Sequence, residues 1–137
     1  GLDYDPALVI DVQPDAEGGY NAVTALLDLE VTGVFCHNDR VAMGLYDGLR
    51  ERGISIPEDI SVVGFDNQDV IAAHLRPPLS TVALPHYDLG AAGVRVLLGL
   101  ETVGTDGRLM IACPPVPRNS IAPPEADVKP PRAARRR

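Results

Sequence analysis

The sequence has no tryptophan, only two cysteines and a single lysine, Lys129, among its 137 residues. No apolar run approaches the roughly 20 residues that a transmembrane helix needs, so we expect no membrane partner. Cys36 and Cys113 lie far apart in apolar contexts, which favours reduced, buried thiols in a cytoplasmic protein over a disulfide framework. With 45% hydrophobic and 4% aromatic residues, the chain is expected to form an α/β domain rich in Val, Leu, Ala and Ile.

Charge divides the chain into two unequal parts. Residues 1–124 carry 17 acidic and 7 basic side chains, whereas residues 125–137 carry 2 acidic and 5 basic ones. An acidic body is a poor direct partner for nucleic acid, because such binding depends on basic contacts to phosphates. We therefore expect residues 1–124 to form the folded part and residues 125–137 to be a disordered basic tail.

The motifs of several enzyme classes are missing. No strand leads into a G-x-G-x-x-G or phosphate-binding glycine loop, and no serine has the context of a nucleophile elbow. The histidines and cysteines lack the spacing of metal ligands. A phospho-acceptor role for Asp66 would need a nearby cation, for which Arg40 is the one candidate. The sequence predicts a protein that is not an enzyme and has neither a cofactor nor a metal site.

Apolar periodicity predicts alternating strands and helices in the first half of the chain. Gly18 and Gly19 are expected to lead into the first helix, and Asn38 or Asp39 is well placed to cap the second. Short connections between such elements are typical of a doubly wound, mostly parallel sheet. The predicted strands are 7–12, 32–36 and a buried central strand from Ile60, and the predicted helices are 20–30 and 40–52.

The second half is predicted with shorter elements. A helical segment at 70–75 is stopped by Pro77 and Pro78, and residues 79–84 are extended. Asp88 is expected to cap a helix that runs to about residue 100. An edge strand is expected at 108–113, continuing through a proline-punctuated run to residue 121.

Three polar turns follow the predicted parallel strands, at 12–15, 37–39 and 66–67. Because the carboxyl ends of parallel strands meet at one edge of the sheet, where ligands bind, these turns are expected to converge. A carboxylate and an amide, from Asp66 and Asn67, suit a polar small molecule there. The alternative, that Asp66 or Asn67 caps the next short helix, stays open at this point.

Several longer stretches make the chain recognisable. They are F-C-H-N-D-R-V-A-M-G at 35–44, L-R-E-R-G-I-S-I-P-E-D-I-S-V-V-G-F-D-N at 49–67, L-R-P-P-L-S-T-V at 75–82 and R-N-S-I-A-P-P at 118–124. Through them, over about residues 7–124, the chain resembles the C-terminal part of the effector-binding domain of LacI/GalR-family transcriptional regulators.

This resemblance implies a type I periplasmic-binding-protein-like fold of two lobes with an effector between them. Residues 7–84 correspond mostly to the second lobe, and segments in 85–118 return to the first. The implied function is sensing of a small-molecule effector, a sugar or sugar derivative, by a cytoplasmic homodimeric regulator. Effector binding would alter the affinity for operator DNA, which is bound through an N-terminal domain absent from this chain. The alternative is a periplasmic sugar-binding protein of an uptake system.

The resemblance also assigns residues. It implies effector contacts from Asn38 and Asp66, with Asp39 adjacent. Pro14 stands where many members have an aromatic residue, and His37 replaces a commonly small one, so the effector need not be an ordinary hexose.

A dimer interface is implied as well, around the helix after Asn38 and the segment around residues 78–82. The alternative, that about half of the implied side chains belong to the chain's own core, also stays open. The interface side chains implied are Met43, Tyr46, Leu79 and Val82.

Overall fold

The structure, a computed structural model, describes residues 4–123. Its helices are α1 (Ala16–Asp28), α2 (Asp39–Glu51), α3 (Asp69–Ala72) and α4 (His86–Leu97), and its strands are β1 (Gly33–Phe35), β2 (Ser61–Asp66), β3 (Ser80–Ala83) and β4 (Pro115–Val116). The predicted basic tail at 125–137 lies outside the described residues. Among the described helices, none is both long enough and apolar enough to cross a membrane.

One four-stranded sheet, in the order β1-β2-β3-β4, organises the described residues. β1, β2 and β3 are parallel, with Val34 beside Val62 and Gly64 beside Thr81. β4 is antiparallel to β3 and places Val116 beside Thr81. The predicted α/β class with a mostly parallel sheet is therefore confirmed.

Glycines let α1 and α2 pack backbone to backbone. A Cβ atom on Gly44 would lie 1.7 Å from the Ala16 carbonyl oxygen, and one on Gly19 would lie 2.0 Å from the Val41 carbonyl oxygen. Only glycine permits so close an approach. The glycines thereby hold α1 and α2 in close contact.

The first helix begins earlier than the sequence predicts. Asp15 is its N-cap, and the Oδ1 atom of this residue accepts a hydrogen bond from the Gly18 amide at 2.8 Å. Gly18 and Gly19 therefore lie inside α1 and do not precede it. Their low helix propensity is outweighed by the cap and by the contact between Gly19 and α2.

The core lies between helices α1 and α2 and strand β2. Tyr46 and Leu79 belong to it, with 1% and 0% of their surfaces exposed, so they offer no side-chain surface to a second copy. The interface role implied for these two residues is wrong, because the chain's own elements cover them. Met43 and Val82 are half-buried, and their interface role stays a prediction. Other core members are Val23, Leu26, Leu27, Val41, Leu45, Leu49, Ile60 and Val62.

The predicted strand at 7–12 does not form. Pro6–Leu8 is a single turn of 3-10 helix, because Asp5 caps it by accepting from the Ala7 amide at 2.9 Å. The residues after this turn join no strand of the described sheet. A cavity of about 560 Å³ lies between these residues, helices α1 and α2, and strand β1. This cavity separates residues 8–12 from β1, whose outer edge is unpaired in the described sheet, so no strand pairing forms here.

The later elements also differ from their predictions. α4 begins at His86 after Pro85, so Asp88 lies in its first turn and does not cap it. Residues 108–113 form no strand, and Cys113 is exposed, contrary to the expectation of a buried thiol. Prolines at 114, 115 and 117 follow this run and remove backbone donors, and only Pro115–Val116 pair with β3.

Candidate functional site

The carboxyl end of β2 carries a turn with unusual backbone geometry. Asp66 and Asn67 have φ angles of 105° and 54°. Positive φ is uncommon for residues other than glycine, and its cost is often accepted at binding sites. Asp66 is also the last paired residue of β2, beside Ala83 of β3. The sheet therefore holds this half-buried carboxylate in a fixed place.

The Asp66 side chain is only partly engaged. Its Oδ2 atom accepts a hydrogen bond from Gln68 Nε2 at 3.0 Å, and its Oδ1 atom accepts none from the residues that the structure describes. The N-cap of α3 is Gln68, without a side-chain cap. The alternative role of Asp66 or Asn67 as a helix cap is therefore wrong, and one carboxylate oxygen is available for a ligand.

Asp39 has a structural role. It is fully buried, its Oδ1 accepts from the Thr81 hydroxyl at 2.7 Å, and its Oδ2 accepts from the Gln68 amide at 2.7 Å. Burial raises the pKa of the Asp39 carboxyl, and those two hydrogen bonds oppose the rise. Asp39 fits above the strand because Gly64 leaves room, since a Cβ there would lie 2.2 Å from Oδ1. The predicted effector contact of Asp39 is wrong, because this side chain is fully buried and both of its oxygens accept hydrogen bonds within the chain.

Asn38 joins two of the predicted polar turns. Its Oδ1 atom caps α2 by accepting from the Val41 amide at 2.8 Å, which confirms the cap predicted at Asn38 or Asp39. Its Nδ2 atom donates to the Pro14 carbonyl at 3.2 Å and lies 3.2 Å from His37 Nε2. With 7% of its surface exposed, Asn38 offers little to a ligand. Pro14 and His37 are exposed beside it.

Arg118 is a site residue that the sequence does not predict. Its Nη2 atom donates to Asn67 Oδ1 at 2.8 Å, and its Nη1 atom donates to the Leu79 carbonyl at 2.8 Å. Asn67 and Arg118 are 51 positions apart, and no local pattern connects them. The one signal is that Arg118 opens the R-N-S-I-A-P-P stretch on which the family resemblance partly rests.

The cavity beside β1 is distinct from the Asp66 turn. Of the predicted site residues, His37 alone lines it, and most other lining residues are apolar. An apolar wall offers few partners to a ligand rich in hydroxyls. Within residues 4–123, no group of three or more His, Cys, Asp or Glu side chains is placed to hold a metal ion. The polar chemistry for a small molecule lies at the carboxyl end of β2.

Comparison with known proteins identifies the family of this chain. The family profile of the periplasmic binding protein-like domain matches residues 1–121. The HTH-type transcriptional repressor CytR of Escherichia coli K12 is 37% identical over 115 residues, which is 80% of this chain and 33% of the relative.

Two solved structures are similar throughout most of the chain. A LacI family transcriptional regulator from Enterococcus faecalis V583 with bound ribose has a TM-score of 0.72 and 36% identity, covering 85% of this chain and 44% of that one. A LacI family regulator from Arthrobacter sp. FB24 in complex with lactose has a TM-score of 0.69 and 30% identity, covering 81% and 44%. The chain thus spans about a third of the curated relative and under half of each solved one. It belongs to the periplasmic binding protein-like domain family, in the form that LacI-family transcriptional regulators carry.

Proposed function

We propose that this chain is part of the small-molecule sensing domain of a LacI-type transcriptional regulator. The effector is a sugar or sugar derivative, and its binding changes the affinity of the whole protein for operator DNA. Asp66 is the residue that recognises it. In this proposal residues 7–84 form most of one lobe, residues 85–118 contribute to a second, and the effector binds between the two.

The observation that carries the proposal is the free oxygen of Asp66 at the carboxyl end of β2. Strand β2 and the side-chain amide of Gln68 fix the Asp66 carboxylate before a ligand arrives. Binding therefore costs little ordering of this side chain. A carboxylate accepts strong hydrogen bonds from hydroxyl groups. A sugar offers several such donors in a fixed arrangement.

The other residues at this edge have supporting roles. Asn38 ties the Pro14 turn to α2, and Asp39 ties α2 to β3 and Gln68. Pro14 and His37 are exposed beside Asn38, so we assign them to the rim of the effector site. Asp66 remains the direct contact.

The relatives favour a regulator over the alternative uptake protein and over an enzyme. CytR is a transcriptional repressor, and both solved neighbours are LacI family regulators, one with ribose and one with lactose. A regulator of this kind binds operator DNA in the cytoplasm and acts as a homodimer, and we extend both properties to the protein that contains this chain.

Calorimetric titration with ribose and with lactose tests the proposal. Asp66→Ala removes a hydrogen bond to a charged group, which contributes about 1.5–3 kcal/mol and corresponds to an affinity loss of about tenfold or more. Asp69→Ala is the matched control, because Asp69 is an exposed carboxylate three positions along the chain. Its effector affinity should equal that of the wild type.

The same variants separate recognition from stability. We expect Asp66→Ala to keep the wild-type melting temperature and, in the protein with its DNA-binding part, to bind operator DNA without responding to the effector. An effector acts only through its different affinities for two states. Unchanged sugar affinity in Asp66→Ala would contradict the proposal. A wild type that binds neither ribose nor lactose would contradict it as well.

A further inference from the structure

The turn of Asp66 and Asn67 is held by contacts from other parts of the chain. Both residues have positive φ, a conformation that costs energy for side chains other than glycine. The Asp66 carbonyl accepts from the Leu84 amide at 3.3 Å, and Asn67 Oδ1 accepts from Arg118 Nη2 at 2.8 Å. The turn therefore keeps this geometry because its neighbours hold it.

Arg118 is itself anchored on the start of β3. Its backbone amide donates to Ser80 Oγ at 2.8 Å, and its Nη1 atom donates to the Leu79 carbonyl at 2.8 Å. Leu79 and Ser80 are buried, so this anchor is rigid. A planar guanidinium that is fixed by one nitrogen presents the other in a defined direction, and here that direction leads to Asn67.

The positive charge of Arg118 also acts on the acidic side chains near this turn. Burial is the main reason why the pKa of Asp39 is raised; the negative charge of Asp66 raises it further and the positive charge of Arg118 lowers it. The two carboxylates repel each other, and Arg118 offsets that repulsion. The charge of Arg118 therefore helps to accommodate the two acidic side chains at this edge of the sheet.

We propose that Arg118 is a positioning residue for the effector site: through Asn67 it holds the turn that aims the Asp66 carboxylate at the ligand. This inference rests on the proposed function, because it gives Asp66 the direct contact. Arg118 acts from behind the turn, with its guanidinium bound to Asn67 and Leu79. A lysine could not replace it, since an ammonium group lacks the planar pair of donors.

Ribose titration of the regulator that contains this chain, with both lobes of its effector-binding domain present, tests this role in a double-mutant cycle. Arg118→Gln should weaken ribose binding about 3- to 30-fold, the range typical of mutations that act through another residue. In an Asp66→Ala background the same change should cause no further loss, because the carboxylate that Arg118 positions is gone. Arg108→Gln, at an exposed arginine, should leave ribose affinity unchanged. An equal loss in both backgrounds would overturn the proposal.

Hydrogen exchange without ligand provides a second, independent readout. The Gln68 amide donates to Asp39 and the Leu84 amide donates to Asp66, so both report on the turn. Arg118→Gln should speed exchange at these two amides, and Arg108→Gln should not. Unchanged exchange would overturn the role of Arg118. If the wild type binds neither ribose nor lactose, the proposed function fails, while faster exchange would still show that Arg118 holds the turn.

Discussion

The Asp39 carboxylate at the start of α2 accepts a hydrogen bond from the buried Thr81 hydroxyl of β3 at 2.7 Å. Its second oxygen accepts from the Gln68 amide just beyond β2. One side chain therefore joins a helix, a strand and the loop that follows Asp66. Because all these groups are bound within the chain, the role of Asp39 is to hold the site together, and its effect should appear in stability.

Replacement of Asp39 should destabilise the fold strongly. Asp39→Ala leaves the Gln68 amide and the Thr81 hydroxyl without their acceptor, and we expect a loss of about 2–4 kcal/mol in the free energy of unfolding. Urea unfolding measures it. Asp47→Ala is the control, because the ion pair that Asp47 forms with Arg50 is exposed, and this variant should change stability by less than about 1 kcal/mol. Equal losses in the two variants would contradict the role of Asp39.

The pH dependence of stability should reflect the raised pKa of the Asp39 carboxyl. Its pKa is raised in the folded state, chiefly by burial, so the folded protein holds this proton more tightly than the unfolded chain does. Acidification toward the unfolded pKa near 4 should therefore stabilise the wild type relative to Asp39→Asn. Urea unfolding of both proteins at pH 7, 6 and 5 measures this difference. A relative loss of wild-type stability on acidification would mean that the pKa is lowered.

The contact between α1 and α2 should tolerate no side chain at Gly44. Gly44→Ala places a methyl group against the Ala16 carbonyl, and we expect a loss of about 1–3 kcal/mol as the helices move apart. Gly93→Ala, in α4, is the matched control, since no atom of residues 4–123 lies within 4 Å of the place that its methyl group would take. It should gain roughly 0.5–1 kcal/mol from reduced backbone freedom. A Gly44→Ala protein as stable as Gly93→Ala would rule out the close packing.

Elements set by local signals could be predicted from the sequence. β2 is a short apolar run that ends in Asp66, and α2 follows an Asn38 cap and has a periodic apolar face. Both form where predicted, because the strand's own apolar residues and the helix's own cap and periodicity specify them. The position of Asp66 at the sheet edge followed from β2 alone.

Elements that depend on distant partners could not be predicted. Gly18 and Gly19 are poor helix formers, and their place inside α1 depends partly on the fit of Gly19 against α2. The predicted strand at 7–12 has the composition of a strand, but a cavity lies between it and β1 and the two do not pair. Arg118 contacts Asn67 only because the fold brings the two together. Side-chain burial, which removed Tyr46 from the predicted interface, is likewise a tertiary property.

The two cysteines should differ sharply in reactivity. Burial, with a smaller contribution from the Asp39 charge, raises the pKa of the Cys36 thiol to about 12, whereas Cys113 is exposed. The thiolate is the reactive form. A thiol reagent at pH 8 should therefore label Cys113 quickly in the folded chain, and both cysteines in urea. Cys113→Ser should abolish the fast reaction. Fast labelling of Cys36 in the folded variant would show that this thiol is accessible.

The outer face of α4 should make the isolated chain associate with itself. Ala92 is its one buried residue, while Tyr87 and Leu97 are each 86% exposed. Contiguous apolar surface of this kind is typical of a face that is covered in the working protein. We therefore expect sedimentation velocity to show concentration-dependent association of the wild-type chain at micromolar concentrations.

Charge on this face should reduce that association. The double substitution Tyr87→Glu and Leu97→Glu should shift the chain toward monomer, because both added carboxylates would lose their hydration in any apolar contact between copies. Val70→Glu is the control, since Val70 is a similarly exposed apolar residue on a different helix, α3. It should leave the association unchanged. A wild-type chain that sediments as a monomer and unfolds cooperatively would refute the idea that the exposed face of α4 drives association. An equal effect of Val70→Glu would show that added charge alone keeps the copies apart.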